Sequence, residues 1–181
     1  MSKADSNRSY GWVVVLVSFC ILAVSTGTIL SFGVFLKPLL DEFGWTRGQT
    51  SLAYSLNWIV FGLFSPIFGA LSDRFNTRSV VLVGGIIYGT GMLLTTQTRA
   101  LWQLYVFFGV MTGMGMSAFF APLTAMVMKW AGRRSGLAVG LISSGSGVGT
   151  LVLPPLARFL ISNSGWEGAF AVLVEVSLFV I

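Results

Sequence analysis

Polar residues fall in short clusters, and long apolar runs separate them. The runs cover about Trp12–Leu36, Gln49–Leu71, Val80–Thr96, Leu101–Met128 and Gly136–Ile161, with a last one from Ala169 to Ile181. A helix that crosses a bilayer needs roughly 17–25 residues, and the first five runs meet that length. The last, of about 13 residues, is too short. The pattern predicts an all-α protein with five crossing helices and a truncated sixth. A charged stretch, Gly69–Arg78, links the second run to the third. It is too short to reach across a membrane, so it turns back on the face it leaves and joins two antiparallel spans.

Composition places most of these side chains in lipid. The chain is 55% hydrophobic and 9% charged. Soluble domains carry about 25% charged residues. The net charge of +5 would suggest nucleic acid in a soluble protein. Here it reads as basic loops holding the cytoplasmic side, with no nucleic-acid partner. With the N-terminus inside, Lys3, Arg8, Arg74, Arg78, Lys129, Arg133 and Arg134 lie inside, and Lys37, Arg47, Arg99 and Arg158 lie outside. That bias predicts an N-terminus inside, and the chain is expected to be a multi-pass protein of the cell inner (plasma) membrane. Residues 1–9 form a cytoplasmic tail, and the bundle occupies 10–181. The single cysteine, Cys20, lies inside an apolar run and forms no internal disulfide.

Glycines crowd the spans. Four-residue steps such as Gly109–Gly113 and Gly136–Gly140 put glycines on one helix face, where backbones approach closely. Trp45, Leu52, Ala53 and Leu56 superpose on Trp130, Leu137, Ala138 and Leu141 at one fixed offset. Each copy is an Arg-bearing loop entering a helix, on opposite sides of the membrane. That is the pattern of a 3+3 inverted repeat, which many secondary transporters use.

Hydrolytic chemistry finds no support. No His is present for a Ser–His pair, and no cluster has zinc-ligand spacing, so neither enzyme activity nor a metal or cofactor is expected. The polar positions within the spans are Ser25, Thr26 and Thr28, then Asn57, Ser117 and Ser143. These are candidate cavity residues. Asn57 leads them, because an amide in hydrocarbon must find partners. Glu175 lies within the last apolar segment, where a carboxylate is expensive. It reads as a proton-coupling candidate, a lumen-facing acid near the outer surface, or part of a tail that never inserts.

Gly69-x-x-x-Asp73-Arg74-x-x-x-Arg78 resembles the signature loop of the major facilitator superfamily, usually G-x-x-x-D-R/K-x-G-R-R/K. Asn76 replaces its second Gly and Thr77 its first late basic residue. Asn tolerates the left-handed conformation, so the turn is expected to survive there. Tyr10-Gly11-Trp12, Gly33-Val34-Phe35-Leu36, the block from Gly113 through Pro122 to Arg133-Arg134, and Gly165-Trp166-x-Gly168-Ala169-Phe170 resemble bacterial monocarboxylate transporter and oxalate–formate antiporter relatives. In those relatives Arg usually follows the last Trp; here it is Glu167, a change the sequence does not explain.

The resemblance implies the N-terminal six-helix half of a secondary carrier, with its C-terminal half missing from this chain. It implies a small organic anion as substrate, moved by alternating access with a proton or in exchange. Gly69, Asp73, Arg74 and Arg78 would latch the cytoplasmic side, with Arg133 or Arg134 as partner of Asp73. Animal members carry a lysine where Leu30 stands, so this half lacks a cationic anchor. The alternative is a non-transporting half-carrier, acting as a membrane interaction protein or homodimer.

Overall fold

The computed structural model of the chain describes residues 3–131 and 135–180. Among these residues every regular element is helical. In order they are α1 (Lys3–Leu30), α2 (Phe32–Phe43), α3 (Arg47–Arg74), α4 (Thr77–Thr96), α5 (Leu101–Leu104), a π-helical segment (Tyr105–Thr112), α6 (Gly113–Ala131) and α7 (Ser135–Val180). Five segments are long and apolar enough to cross a membrane: Gly11–Phe43, Arg47–Arg74, Thr77–Thr96, Leu101–Lys129 and Ser135–Val180.

The first span runs beyond its expected end at Leu36. A bend at Ser31 separates α1 from α2, and the Ser31 hydroxyl donates back to the Gly27 carbonyl at 2.7 Å. Lys37, Pro38, Asp41 and Glu42, all beyond that expected end, lie inside α2. Charged side chains at the membrane edge reach water, so they do not end a helix there. Gly44 ends it instead. At φ +65° it donates its N–H to the Leu40 carbonyl, closing the last turn in the left-handed conformation that glycine adopts at least cost. Thr46 and Gln49 then start α3 with a reciprocal capping box.

A straight α7 of 46 residues would be about 69 Å long, more than twice the hydrocarbon thickness. Gly165, at φ 74° and ψ 175°, breaks it into two limbs. The second limb therefore begins at Trp166, before the expected start at Ala169. The Trp166 indole N–H donates to the Glu42 carboxylate, and Phe170 packs edge-on against Phe35 at 4.9 Å. These contacts tie the second limb to α2.

Glycines set how closely the rods approach. On α7, a Cβ at Gly145 would lie 2.6 Å from the Phe19 carbonyl oxygen, and one at Gly149 would lie 1.8 Å from that of Ala23. Gly27 of α1 is equally tight against the Gly149 carbonyl, at 2.5 Å. A second seam runs between the fourth span and α3. There a Cβ at Gly109 would lie 2.9 Å from Leu56, and one at Gly113 would lie 2.7 Å from the Asn57 carbonyl oxygen. Gly115 and Gly84 make a third seam between α6 and α4. The expected step Gly136–Gly140 seats nothing: neither position has a described neighbour within 4 Å of a built Cβ. Between the seams lies an apolar core that includes Phe32, Phe108, Tyr88 and Phe119. Phe32 stacks on Phe108 at 4.4 Å, and Tyr88 meets Phe119 edge-on at 5.7 Å.

Candidate functional site

The signature loop is a helix exit followed at once by a helix entry. α3 ends at Arg74, and the Phe75 N–H donates to the Leu71 carbonyl. A Cβ at Gly69 would meet only Ala121, at an ordinary 3.8 Å. Ser72 is buried and donates to the Gly69 carbonyl at 2.8 Å. Asn76 is not left-handed: at φ −65° and ψ 124° it is the N-cap of α4, and its side-chain oxygen accepts from the Arg78 N–H at 3.2 Å. Asn therefore suits this position as a cap, not as a glycine substitute. Asp73, Arg74 and Arg78 are exposed. Arg78 also borders a groove of about 310 Å³ between α1, α4 and α6. Arg133 and Arg134 lie outside the described residues.

The polar positions inside the spans separate into three kinds. Ser25 and Ser117 are buried, and each donates to a carbonyl of its own helix, Ile21 at 2.7 Å and Met114 at 2.5 Å. Thr26 is half-buried and reaches across the α1–α7 seam to the Ser146 hydroxyl at 3.4 Å. Ser143 and Glu175 are exposed on α7. Thr28 is buried, and its hydroxyl has no hydrogen-bond partner among the described residues. It lies beside Tyr88, whose hydroxyl donates to the Ser25 carbonyl at 3.4 Å and neighbours Ser177. Leu30 is half-buried.

Asn57 is the strongest polar contact in the interior. Its Nδ2 donates to the Phe108 carbonyl at 2.8 Å and to the Thr112 hydroxyl at 2.7 Å. Phe108 lies inside the π-helical segment, and Thr112 ends it. A π turn loosens the carbonyl ladder, and the amide takes up a carbonyl there. The donors of Asn57 thus join α3 to the fourth span, while its Oδ1 has no described partner.

Sequence reasoning did not single out Ser146, Tyr88, Thr112 or Ser177. A signal existed for Tyr88 alone, a buried aromatic hydroxyl among Gly84, Gly85, Gly89 and Gly91. Among the described residues no group of three His, Cys, Asp or Glu could hold a metal ion.

Apolar rods joined by glycine seams, with most charge near their ends and Glu175 an exception, define a multi-pass membrane protein. The family model described as Major Facilitator Superfamily matches residues 14–181. The chain belongs to that family. It is 35% identical over 169 residues to Monocarboxylate transporter 11 of Mus musculus, a match covering 93% of this chain and 38% of that protein. Monocarboxylate transporter 13 of Rattus norvegicus is 34% identical over 169 residues, covering 93% of this chain and 40% of the relative. Monocarboxylate transporter 12 of Homo sapiens is 30% identical over 172 residues, covering 95% and 33%. The chain thus spans two fifths or less of the length of these relatives.

Proposed function

We propose that this chain is the N-terminal half of a secondary carrier that moves small carboxylate anions by alternating access, either with a proton or in exchange for another anion. The observation that carries this reading is the match to proteins named as monocarboxylate transporters over 93% of the chain. The packing supports it. In the most apolar windows of α3 and α7 only 22% and 28% of residues are buried, against 50–61% in the other spans. A second half-bundle laid on those two rods would cover the bare surface.

The two seams support a 3+3 inverted repeat. Gly145 and Gly149 of the fifth span sit on the Phe19 and Ala23 carbonyls of the first. Gly109 and Gly113 of the fourth sit beside Ala53 and Asn57 of the second. If spans one to three map onto spans four to six, the first–fifth contact maps onto the fourth–second contact. On this reading the second limb of α7 belongs to the sixth span. The N-terminus is cytoplasmic.

Substrate contacts are assigned to Thr26, Thr28 and Ser143, with Ser25, Asn57 and Ser117 shaping the wall behind them. Glu175, exposed on the second limb of α7, is the proton-coupling candidate of this half. The cation that an anionic substrate needs in hydrocarbon comes from the second half. Vesicles carrying this half together with a second half should take up at least one of radiolabelled lactate, pyruvate, oxalate and formate. A pH gradient should change the rate if a proton is the coupling ion. No uptake of any of the four, with a correctly folded protein, favours the half-carrier acting as an interaction protein or homodimer.

The latch assigned to Gly69, Asp73, Arg74 and Arg78 predicts a partner for Asp73 at Arg133 or Arg134. Asp73→Arg should reduce transport about tenfold or more, as expected when one member of a charge-assisted bond is reversed. The swap Asp73→Arg with Arg133→Asp or Arg134→Asp should restore part of it. If neither swap restores transport, the pairing is wrong.

A further inference from the structure

Three segments far apart in sequence meet at the bundle end opposite the Asp73 loop. They are the C-terminus of α2, the turn between α4 and α5, and the start of the second limb of α7. They border a half-open cavity of about 720 Å³ whose lining includes Glu42, Phe43, Gln97, Thr98, Arg99 and Glu167. That volume is typical of small-molecule sites, about 300–1,000 Å³. We propose that this cavity binds a small ligand carrying both a primary ammonium group and an oxyanion.

The chemistry of the wall selects that class. Two acidic residues, Glu42 and Glu167, and one basic residue, Arg99, line one space. A simple anion meets the two carboxylates, and a simple cation meets Arg99. A ligand with both charges pairs its ammonium with Glu42 and Glu167 and its oxyanion with Arg99, each bond charge-assisted. Thr98 supplies the independent sign of a ligand. It is only 2% exposed, and its hydroxyl has no partner among the described residues. Buried hydroxyls are normally hydrogen-bonded, and this one, on a residue of the cavity wall, is left with hydrogen-bonding capacity that no described protein atom takes up.

The site is also held in shape. The Trp166 indole fixes one oxygen of Glu42. Phe43 stacks on Trp45 at 4.5 Å and meets Trp166 edge-on at 6.0 Å. Its ring adds an aromatic surface that favours an ammonium group. A bare divalent ion fits less well. Calcium takes 6–8 oxygen ligands, and no group of three acidic, His or Cys residues is present among the described residues. Glu167 thereby gains a role that the sequence alone did not give it.

Ammonium and oxyanion together occur in free amino-acid-like solutes and in the phosphatidylethanolamine headgroup, and the test separates these sources. The full chain is placed in phosphatidylglycerol nanodiscs, which lack ammonium, and titrated calorimetrically with ethanolamine phosphate. Saturable binding is expected. Glu167→Gln, Thr98→Val and Arg99→Gln should each weaken it, the charge variants by about tenfold. Arg99→Gln should leave the weaker binding of ethanolamine unchanged, because that probe has no oxyanion. Glu167 and Arg99 are exposed, so the melting temperature of their variants should match that of the parent.

In phosphatidylethanolamine nanodiscs, loss of the titration identifies the lipid headgroup as occupant, and retention identifies a soluble ligand. Either result keeps the ammonium–oxyanion assignment. Absence of saturable binding in phosphatidylglycerol, or equal binding by the parent, Glu167→Gln and Arg99→Gln, overturns it. Transport is not read in this experiment, so its failure leaves the carrier reading untouched.

Discussion

Gly149→Ala should separate α1 from α7 and lower stability by about 3 kcal/mol, the upper end of the usual range for overpacking. One methyl group is enough, because it would sit 1.8 Å from the Ala23 carbonyl oxygen and 2.6 Å from its carbon. Backbone atoms cannot change rotamer to make room. The rods must move apart, and they would lose the Gly27–Gly149 and Gly145–Phe19 contacts as they do. Gly147→Ala supplies the control two residues away. No described atom lies within 4 Å of a Cβ there, and alanine favours a helix over glycine by about 1 kcal/mol. It should be neutral or stabilising. Thermal unfolding of the two variants, followed by fluorescence-detected gel filtration, gives the comparison. Equal melting of Gly149→Ala and the parent would mean that the rods do not pack at this distance.

Asn57→Leu is expected to destabilise the protein by about 2–3 kcal/mol. Hydrogen bonds between spans contribute about 0.6–2 kcal/mol each, and a stranded buried carbonyl costs about 1–3 kcal/mol. Two bonds are removed, to Phe108 and to Thr112. The Thr112 hydroxyl also donates to the Phe108 carbonyl, so part of the loss is offset. A double-mutant cycle with Thr112→Val should give a coupling of about 1 kcal/mol, because the two side chains share one acceptor. Zero coupling would mean that the amide and the hydroxyl act independently and that the cluster is not a unit. Loss of transport in Asn57→Leu with unchanged stability would instead return Asn57 to direct substrate contact.

The spans could be read from the sequence because hydrocarbon imposes a length and a composition that few other environments require. Their ends could not. Lys37, Asp41 and Glu42 lie beyond the end expected for the first run because they are charged, yet charge at the bilayer edge does not stop a helix. The stop is Gly44, whose positive φ is a backbone fact. Asn57 stood out as an amide in an apolar run, but its partners depend on where α3 crosses the fourth span. The hydrogen bond of Trp166 to Glu42 joins residues 124 positions apart, and local pattern carries no information at that range. The glycine steps show both outcomes: Gly109–Gly113 packs and Gly136–Gly140 does not. Spacing gives the face, and only the neighbouring rod decides whether that face is used.

The segment Tyr105–Thr112 has a final consequence. Each surplus residue held in a wide turn rotates everything after it by roughly 100° relative to a regular helix. The fourth span faces two partners. Gly109 and Gly113 address α3, whereas Gly115 addresses α4. Gly113 and Gly115, two residues apart and both beyond the wide turns, lie about 200° apart on the helix, so α6 meets α3 and α4 from opposite faces.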